Sequence, residues 1–425
     1  MMSSILVLII AILAYYFIIF GRVKKSIIVF TLSLVLFAVK AVEGLNLENI
    51  GEVVNFNTLG LLLGMMIIVA VLKGTGFFQY AAVKMIRFAG GSFWKTLIFL
   101  MILVSLVSAF LDNLITIILL SPMIFLIADT MGMNPVPLIL LMIFIDNIGG
   151  MSTLIGSPLN IVLGSISGLS FNEFLKSLGG FAAVAFVVTL MIFRKKLKVT
   201  AEMKERLKNI STMDPRKAIT DLKTLKKAFP IFLLVLVGFS LHSVIEIDLS
   251  IVALLGASVL LLLLDADFEK FSKEIDWDTL FFYMGLFVIS YSLEKIGVIS
   301  SISEFFSIFK GHPIILGLFV MWFSAFTIPF LSAVPGTLIL APALKLLVAS
   351  GVSPNIWWAF ALGANLGTNM TPLGAVQNIV GISLLEKHSG QTVSFGEFFK
   401  EGFIATLPSL ALASIYVIFL MKQGG

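Results

Sequence analysis

The chain has 425 residues, 59% of them hydrophobic and only 12% charged, with a mean hydropathy of +1.08. A soluble domain carries about 25% charged residues and cannot hide this much apolar surface, so the composition specifies a polytopic membrane protein, and the long apolar runs below make the expected fold all-α. Cysteine is absent, which excludes disulfides, thiolate metal sites and thiol catalysis, and the three histidines (His242, His312, His388) are not spaced to hold a metal. The net charge of +5 is uneven, because residues 194–228 hold twelve Lys or Arg against four Asp or Glu. The positive-inside rule makes this a cytoplasmic loop rather than a nucleic-acid site.

Residues 1–20 are apolar, without a basic start or a small-residue cleavage site, and read as a first span rather than a leader. Apolar runs long enough for about 30 Å of hydrocarbon lie at 4–20 and 26–42, joined by Gly21-Arg22-Val23-Lys24-Lys25. That basic turn belongs in the cytoplasm, which places the N-terminus outside. The acidic stretch from Glu43 to Glu52 then faces out, a third span at 57–73 returns, and 75–90 reads as an amphipathic helix on the inner surface. Residues 93–111 and 114–128 are both apolar and flank Asp112-Asn113. A re-entrant hairpin, with Asp112 and Asn113 at its mid-membrane tip, keeps the later segments on the correct side. Non-helical backbone at that depth is tolerated only where it lines a cavity or is buried in protein. Residues 137–168, broken between Gly149 and Pro158, cross outward, and 178–193 return to the basic loop.

Beyond the loop come spans at 229–245 and 249–264, a charged turn from Asp265 to Asp278, a span at 279–295 and a short helix at 300–309. A second hairpin, 313–331 and 337–349, turns around Ser332-Ala333-Val334-Pro335-Gly336, with Pro122 and Pro342 ending the two kink regions. A second broken segment at 355–385 and a last span at 401–421 leave the C-terminus outside.

The two halves repeat one another. Asn147, Gly149, Thr153, Gly156 and Asn160 fall without a gap on Asn365, Gly367, Thr371, Gly374 and Asn378, five matches in fourteen positions where about one is expected. Gly64, Leu72 and Gly76 share their spacing with Gly285, Leu293 and Gly297, and Asp112 aligns with Ser332. Ser-Phe-x-Glu-Phe-x-Lys follows each broken segment, at Ser170 and at Ser394. Each half makes five crossings, an odd number, so the second copy is inverted, as in secondary transporters. The predicted parts are scaffold helices at 1–74 and 229–298, transport parts at 75–193 and 299–425, and the loop at 194–228.

Ser108-Ala109-Phe110-Leu111-Asp112-Asn113, with Asn147-Ile148-Gly149-Gly150 and Thr153 to Asn160, resembles the arsenite permease, sodium–proton antiporter and P protein branch of the ion transporter superfamily. The citrate permeases are relatives. The resemblance covers nearly the whole chain from about residue 57, including Asp276-Trp277-Asp278-Thr279-Leu280. It implies two opposed hairpins, an elevator-like shift of a transport part and a homodimer in the inner membrane. One departure is that the second hairpin reads Ser332-Ala333 where many relatives carry an Asp-Asn or Ser-Asn pair in both hairpins, so a second ion site built like the first is not implied.

Asp112 and Asp146 are the sharpest candidates, since an acid in the bilayer costs about 2.5–3.5 kcal/mol on insertion scales and is retained for a use. With Asn113 and Asn147 they form the expected coupling site for H⁺ or Na⁺, a sodium ion lying near Asp112, Asn113 and Asn160. The bland alternative is a helix N-cap. Thr153, Gly156, Ser157, Asn160, Ser332, Asn365, Thr368, Asn369, Thr371, Gly374, Gln377 and Asn378 are the expected lining for substrate or ion. No Walker-type loop is present, no cofactor beyond the coupling ion is expected, and no nucleophile–base pair or zinc set points to an enzyme. The reading is a secondary transporter of a small anion-like solute such as arsenite or citrate. A Na⁺/H⁺ antiporter is the first alternative and a passive channel the second. Asp112→Asn keeps the hydrogen-bonding shape of the tip while removing its charge. Gradient-driven flux in vesicles is expected to fall to background with no change in the detergent melting curve.

Overall fold

Inside a bilayer each apolar run must satisfy its own backbone, and the chain does so by folding as helices. The computed structural model describes residues 2–21, 24–197, 199–200, 203, 214–265, 269 and 272–423, and no strand occurs among them. The centre of the basic loop, 201–202 and 204–213, lies outside the described residues, as do Arg22 and Val23 of the first basic turn. The first half runs α1 (Met2–Phe20), α2 (Lys25–Ala38), a single turn α3 (Ile50–Val53), α4 (Phe56–Gly74) and α5 (Phe77–Phe88). It continues with α6 (Phe93–Phe110), α7 (Asn113–Met131), α8 (Val136–Met151), α9 (Pro158–Ser167) and α10 (Phe171–Lys196). The second half holds α11 (Leu222–Ile245), α12 (Leu249–Leu263), α13 (Trp277–Lys295) and α14 (Val298–Ser307). Then come α15 (Pro313–Leu331), α16 (Ala333–Ala349), α17 (Ile356–Gly367), α18 (Val376–Ser389) and α19 (Phe395–Gln423). Among the described residues seven helices are long and apolar enough to cross a membrane, and α13 with α14, bent by 68°, is an eighth candidate.

Two expectations about prolines change. Pro335 and Gly336 stand in the first turn of α16 rather than in an open kink, because a first-turn proline forfeits no helical hydrogen bond. Pro122 and Pro342 do not end kink regions but lie inside α7 and α16. The tip of the second hairpin turns instead at Ser332, whose φ of 70° is rare for a residue with a Cβ. The repeated Ser-Phe-x-Glu proves to be a helix start: in α10 the Ser170 N–H donates to Glu173 Oε2 at 2.7 Å while the Glu173 N–H donates to Ser170 Oγ. Ser394 and Glu397 do the same for α19.

The helices sort into two groups. An outer group exchanges partners between the halves, with α2 packed along α13 and α12 along α4. The repeated glycines explain the closeness of these pairs. A Cβ on Gly64 would lie 2.6 Å from the Ala253 carbonyl carbon, and one on Gly285 would lie 2.9 Å from that of Val29. Equivalent hydroxyls tie each pair: Ser250 Oγ donates to Asn57 Oδ1 at 2.8 Å, and Ser26 Oγ donates to Asp278 Oδ1 at 3.1 Å. Asp278 also pairs with Lys24 at 2.8 Å, and this hydrogen bond and charge raise the ammonium pKa above its ordinary value. The inner group holds the hairpins α6–α7 and α15–α16 and the broken helices α8–α9 and α17–α18. Here α9 packs on α16 and α18 on α7, so each half covers the other's hairpin. The short helices α5 and α14 join the groups, each entered through a glycine at positive φ, Gly76 and Gly297.

Gly64→Val should drive a side chain into the backbone of α12 and destabilise the protein by roughly 1–3 kcal/mol. Gly74→Ala, with no atom of the described residues within 4 Å of the added Cβ, should leave melting nearly unchanged. Thermal melting of the two detergent-solubilised variants checks the contrast.

Candidate functional site

A helix broken in the protein interior leaves carbonyls and N–H groups without intrahelical partners, and these need side-chain donors and acceptors. Both breaks are served the same way. The Asn160 amide nitrogen donates to the carbonyls of Gly150 (3.2 Å), Met151 (3.2 Å) and Thr153 (2.8 Å). The Asn378 amide donates to those of Thr368 (2.8 Å) and Thr371 (2.9 Å). The threonine hydroxyls fasten each break to its own hairpin, Thr153 to the Ala109 carbonyl and Thr371 to the Pro329 carbonyl. Gly149 and Gly367 let that approach happen, since a Cβ on either would strike the Ser105 or Ala325 backbone at about 2.5–2.6 Å.

The two breaks then brace one another. Asn147 Nδ2 donates to Asn378 Oδ1 at 3.0 Å, and Asn365 Nδ2 donates to Asn160 Oδ1 at 2.8 Å. Two reciprocal bonds between equivalent positions are the mark of an isologous, two-fold contact. The halves depart from symmetry around Asn147, whose amide also donates to Asn369 Oδ1 (2.7 Å) and whose Oδ1 accepts from Gln377 (2.6 Å) and Asn113 (3.4 Å).

A cavity of about 300 Å³ opens beside this brace, where both hairpin tips, both breaks, α4 and α13 meet. Of the predicted residues, Asp112, Asn113, Asn147, Ser157, Ser332, Asn365, Thr368 and Gln377 line it. Asp146, Thr153, Gly156, Asn160, Asn369, Thr371, Gly374 and Asn378 do not. Most of these lie one layer behind, where the polar side chains hold the breaks and the glycines leave room for backbone. Asp112 is a helix cap as well as a wall residue, accepting the Leu114 N–H at 2.7 Å as it begins α7. Asp146 is fully buried, and neither carboxylate oxygen has a hydrogen-bond partner among the described residues, although its carbonyl accepts from Ser108 Oγ at 2.6 Å. The Gly156 position is ringed by oxygen. A Cβ there would lie 2.6 Å from the Gly150 carbonyl oxygen, 2.8 Å from that of Ser108 and 2.9 Å from that of Ala109. No side chain fits among those carbonyls, and Gly150 is held in the same way, with Asn113 Oδ1 2.5 Å from its Cβ position.

The sequence reasoning did not single out the far wall, Met66, Val69 and Lys73 of α4 with Glu274, Asp276, Thr279 and Tyr283 at the start of α13. The signal was available in the likeness of Asn55-Phe56-Asn57-Thr58-Leu59 to Asp276-Trp277-Asp278-Thr279-Leu280. Lys73 is the one basic residue among the described lining residues, and it is paired with Glu274 at 3.2 Å. Lys345 is exposed on α16, away from the cavity.

Asn147→Asp removes two amide donors and sets a carboxylate against the oxygens of Asn369 and Asn378. Each buried acceptor left unpaired costs about 1–3 kcal/mol. The variant should therefore melt markedly earlier than wild type, and Asn365→Asp should show the same sign.

Comparison with known proteins supports the family read from the motifs. The profile of the citrate transporter family matches residues 15–363. An uncharacterized transporter of Mycobacterium tuberculosis is 33% identical over 369 residues, covering 86% of this chain and 86% of its own length. A 46 kDa membrane protein of Mycobacterium leprae is 31% identical over 421 residues, covering 97% and 98%. The P protein of Homo sapiens is 28% identical over 495 residues, covering 95% of this chain and 58% of its own length. The solved structure of the YdaH transporter of Alcanivorax borkumensis superposes with a TM-score of 0.63 at 14% identity, covering 99% of this chain and 98% of that one, a likeness of fold alone. The chain therefore belongs to the citrate transporter family and is a multi-pass membrane transporter of the ion transporter superfamily.

Proposed function

We propose that the protein is a secondary active transporter that moves a small anion-like solute, such as arsenite, another inorganic anion or a carboxylate like citrate, in exchange with or alongside H⁺ or Na⁺. The observation that carries this reading is the cavity itself, bounded by two hairpin tips and two helix breaks and backed by an unpartnered carboxylic acid. Its volume of about 300 Å³ is at the small end of the ~300–1,000 Å³ range of small-molecule sites. The N-termini of α16 and α18 have no side-chain cap and offer N–H groups to an anion, whereas Asp112 takes that place at α7.

The coupling ion has two places. An isolated buried carboxylate is costly by several kcal/mol, and either a proton or a bound cation on Asp146 removes that cost. A sodium ion would instead take the oxygens of Asp112 and Asn113, which share the cavity wall. Asn160 serves it indirectly, because its amide nitrogen already caps the break and its oxygen accepts from Asn365. The unequal ties of the two hairpins to the outer helices favour alternating access over a channel. The first hairpin faces α4 across the cavity, whereas the second, though its tip also lines the cavity, is tied to α1 by Tyr15 donating to the Pro335 carbonyl at 2.8 Å and to α13 by Ser290. The inner helices then move against the outer ones in the manner of an elevator. By the positive-inside rule, the cavity mouth at Lys73 and Asp276 is cytoplasmic.

A Na⁺/H⁺ antiporter is the second reading, favoured by a wall that sets Asp112, Glu274 and Asp276 against Lys73 alone. Flux in proteoliposomes with Na⁺, Li⁺, arsenite, citrate, succinate or phosphate, against imposed pH and Na⁺ gradients, separates the two. A response that requires one anion supports the transporter, and a cation-only response the antiporter. Asp146→Asn should abolish coupling to the pH gradient while leaving melting equal or higher. Retained coupling in that variant would sink the proton role of Asp146.

A further inference from the structure

The two halves are alike within each group of helices and unlike where the groups meet. Asn55 caps α4 by accepting the Thr58 N–H at 2.8 Å, and Asp276 caps α13 by accepting the Thr279 N–H at 3.1 Å. Within α9 and α18, Asn160-Ile161-Val162 is followed by Ser165 at the spacing at which Asn378-Ile379-Val380 is followed by Ser383. On one side the equivalent residues meet. Asn55 Nδ2 donates to Ser165 Oγ, and α9 packs on α4. They close over a polar pocket of about 240 Å³ that holds His242, Asp248 and the buried hydroxyl of Thr58, which has no partner among the described residues. On the other side they do not meet, because Asp276 faces the central cavity and α18 has no comparable packing on α13.

The hairpins show the same imbalance in the same sense. Ser290 Oγ of α13 donates to the Leu338 carbonyl of α16 at 2.6 Å. The equivalent positions, Val69 of α4 and Ile118 of α7, both line the central cavity instead. The inner group is thus docked on the outer group at one end and parted from it at the other. Because the parts on both sides are related by the two-fold, the chain carries the elements of a second docking with the same layout.

We propose that Asn55–Ser165 and Asp276–Ser383 are alternating latches between the two helix groups, the second closing as the first opens. In the opposite state Ser383 Oγ–H donates to the Asp276 carboxylate, α7 settles on α4 at Val69 and Ile118, and the Ser290 bond is released. The 240 Å³ pocket becomes the open mouth. This rests on the alternating-access reading above, but its test does not depend on identifying the solute.

The chain has no cysteine, so paired thiols can be introduced without removing any. The full-length protein in lipid vesicles would carry N55C with S165C, D276C with S383C, V69C with I118C, or the first two pairs together. After mild oxidation, free thiols are counted by the gel shift of a polyethylene-glycol maleimide. A disulfide needs Cα atoms within about 4.4–6.8 Å. Each pair alone should close. In the four-thiol variant no molecule should carry both links, and closing N55C–S165C should lower the V69C–I118C yield at least about tenfold when those pairs are combined. The proposal is overturned if D276C–S383C and V69C–I118C both stay free while N55C–S165C is consumed, or if both latches close in one molecule. Loss of the transport reading shows differently, as absence of any gradient-coupled flux in the unsubstituted protein.

Discussion

The structure depends on one constraint, the unwound backbone of two broken helices held in the protein interior. Four asparagine carboxamides answer that constraint. Asn160 and Asn378 turn their nitrogens on the carbonyls of their own breaks and present their oxygens to Asn365 and Asn147 of the other half. A carboxamide is suited to this because it offers two donors and an acceptor without a charge to desolvate. The stability of one break is thereby made conditional on the other, and both are pinned to the hairpins through Thr153 and Thr371.

Symmetry supplies the frame and departures from it supply the chemistry. Asp146 stands where the second half has Ala364, Asn113 where it has Ala333, and Gln377 where the first half has Leu159. All three polar residues gather around Asn147, two through direct bonds and Asp146 as its chain neighbour. A duplicated frame with one-sided substituents gives a single asymmetric site rather than two equal ones, which suits a device that binds unlike species, a solute and an ion.

Much of this was legible in the sequence, and the reasons are specific. The hairpins, the breaks and the repeat register were readable because glycine, proline and asparagine are conspicuous in hydrocarbon, where an apolar residue is the default. The division of labour among the asparagines was not readable, since a carboxamide that caps a carbonyl and one that faces a cavity look the same in a string of letters. The far wall of the cavity escaped notice because Lys73, Glu274 and Asp276 sit at helix ends, where charge is ordinary. Nor does spacing reveal that α2 and α12 leave their own halves to pack on α13 and α4, an exchange carried by small residues such as Gly64 and Ala253.

That exchange has a consequence for how the protein is made. The face of α4 around Gly64 receives its partner only when Ala253 has been inserted, and the α13 surface at Gly285 must find α2, already placed long before. At about 5–20 residues per second of synthesis, α4 waits on the order of ten to forty seconds with its packing face open to lipid. The first half therefore cannot mature as an independent unit. Its outer helices are held in reserve, and the basic loop joins two pieces that complete each other only after the second has entered the membrane.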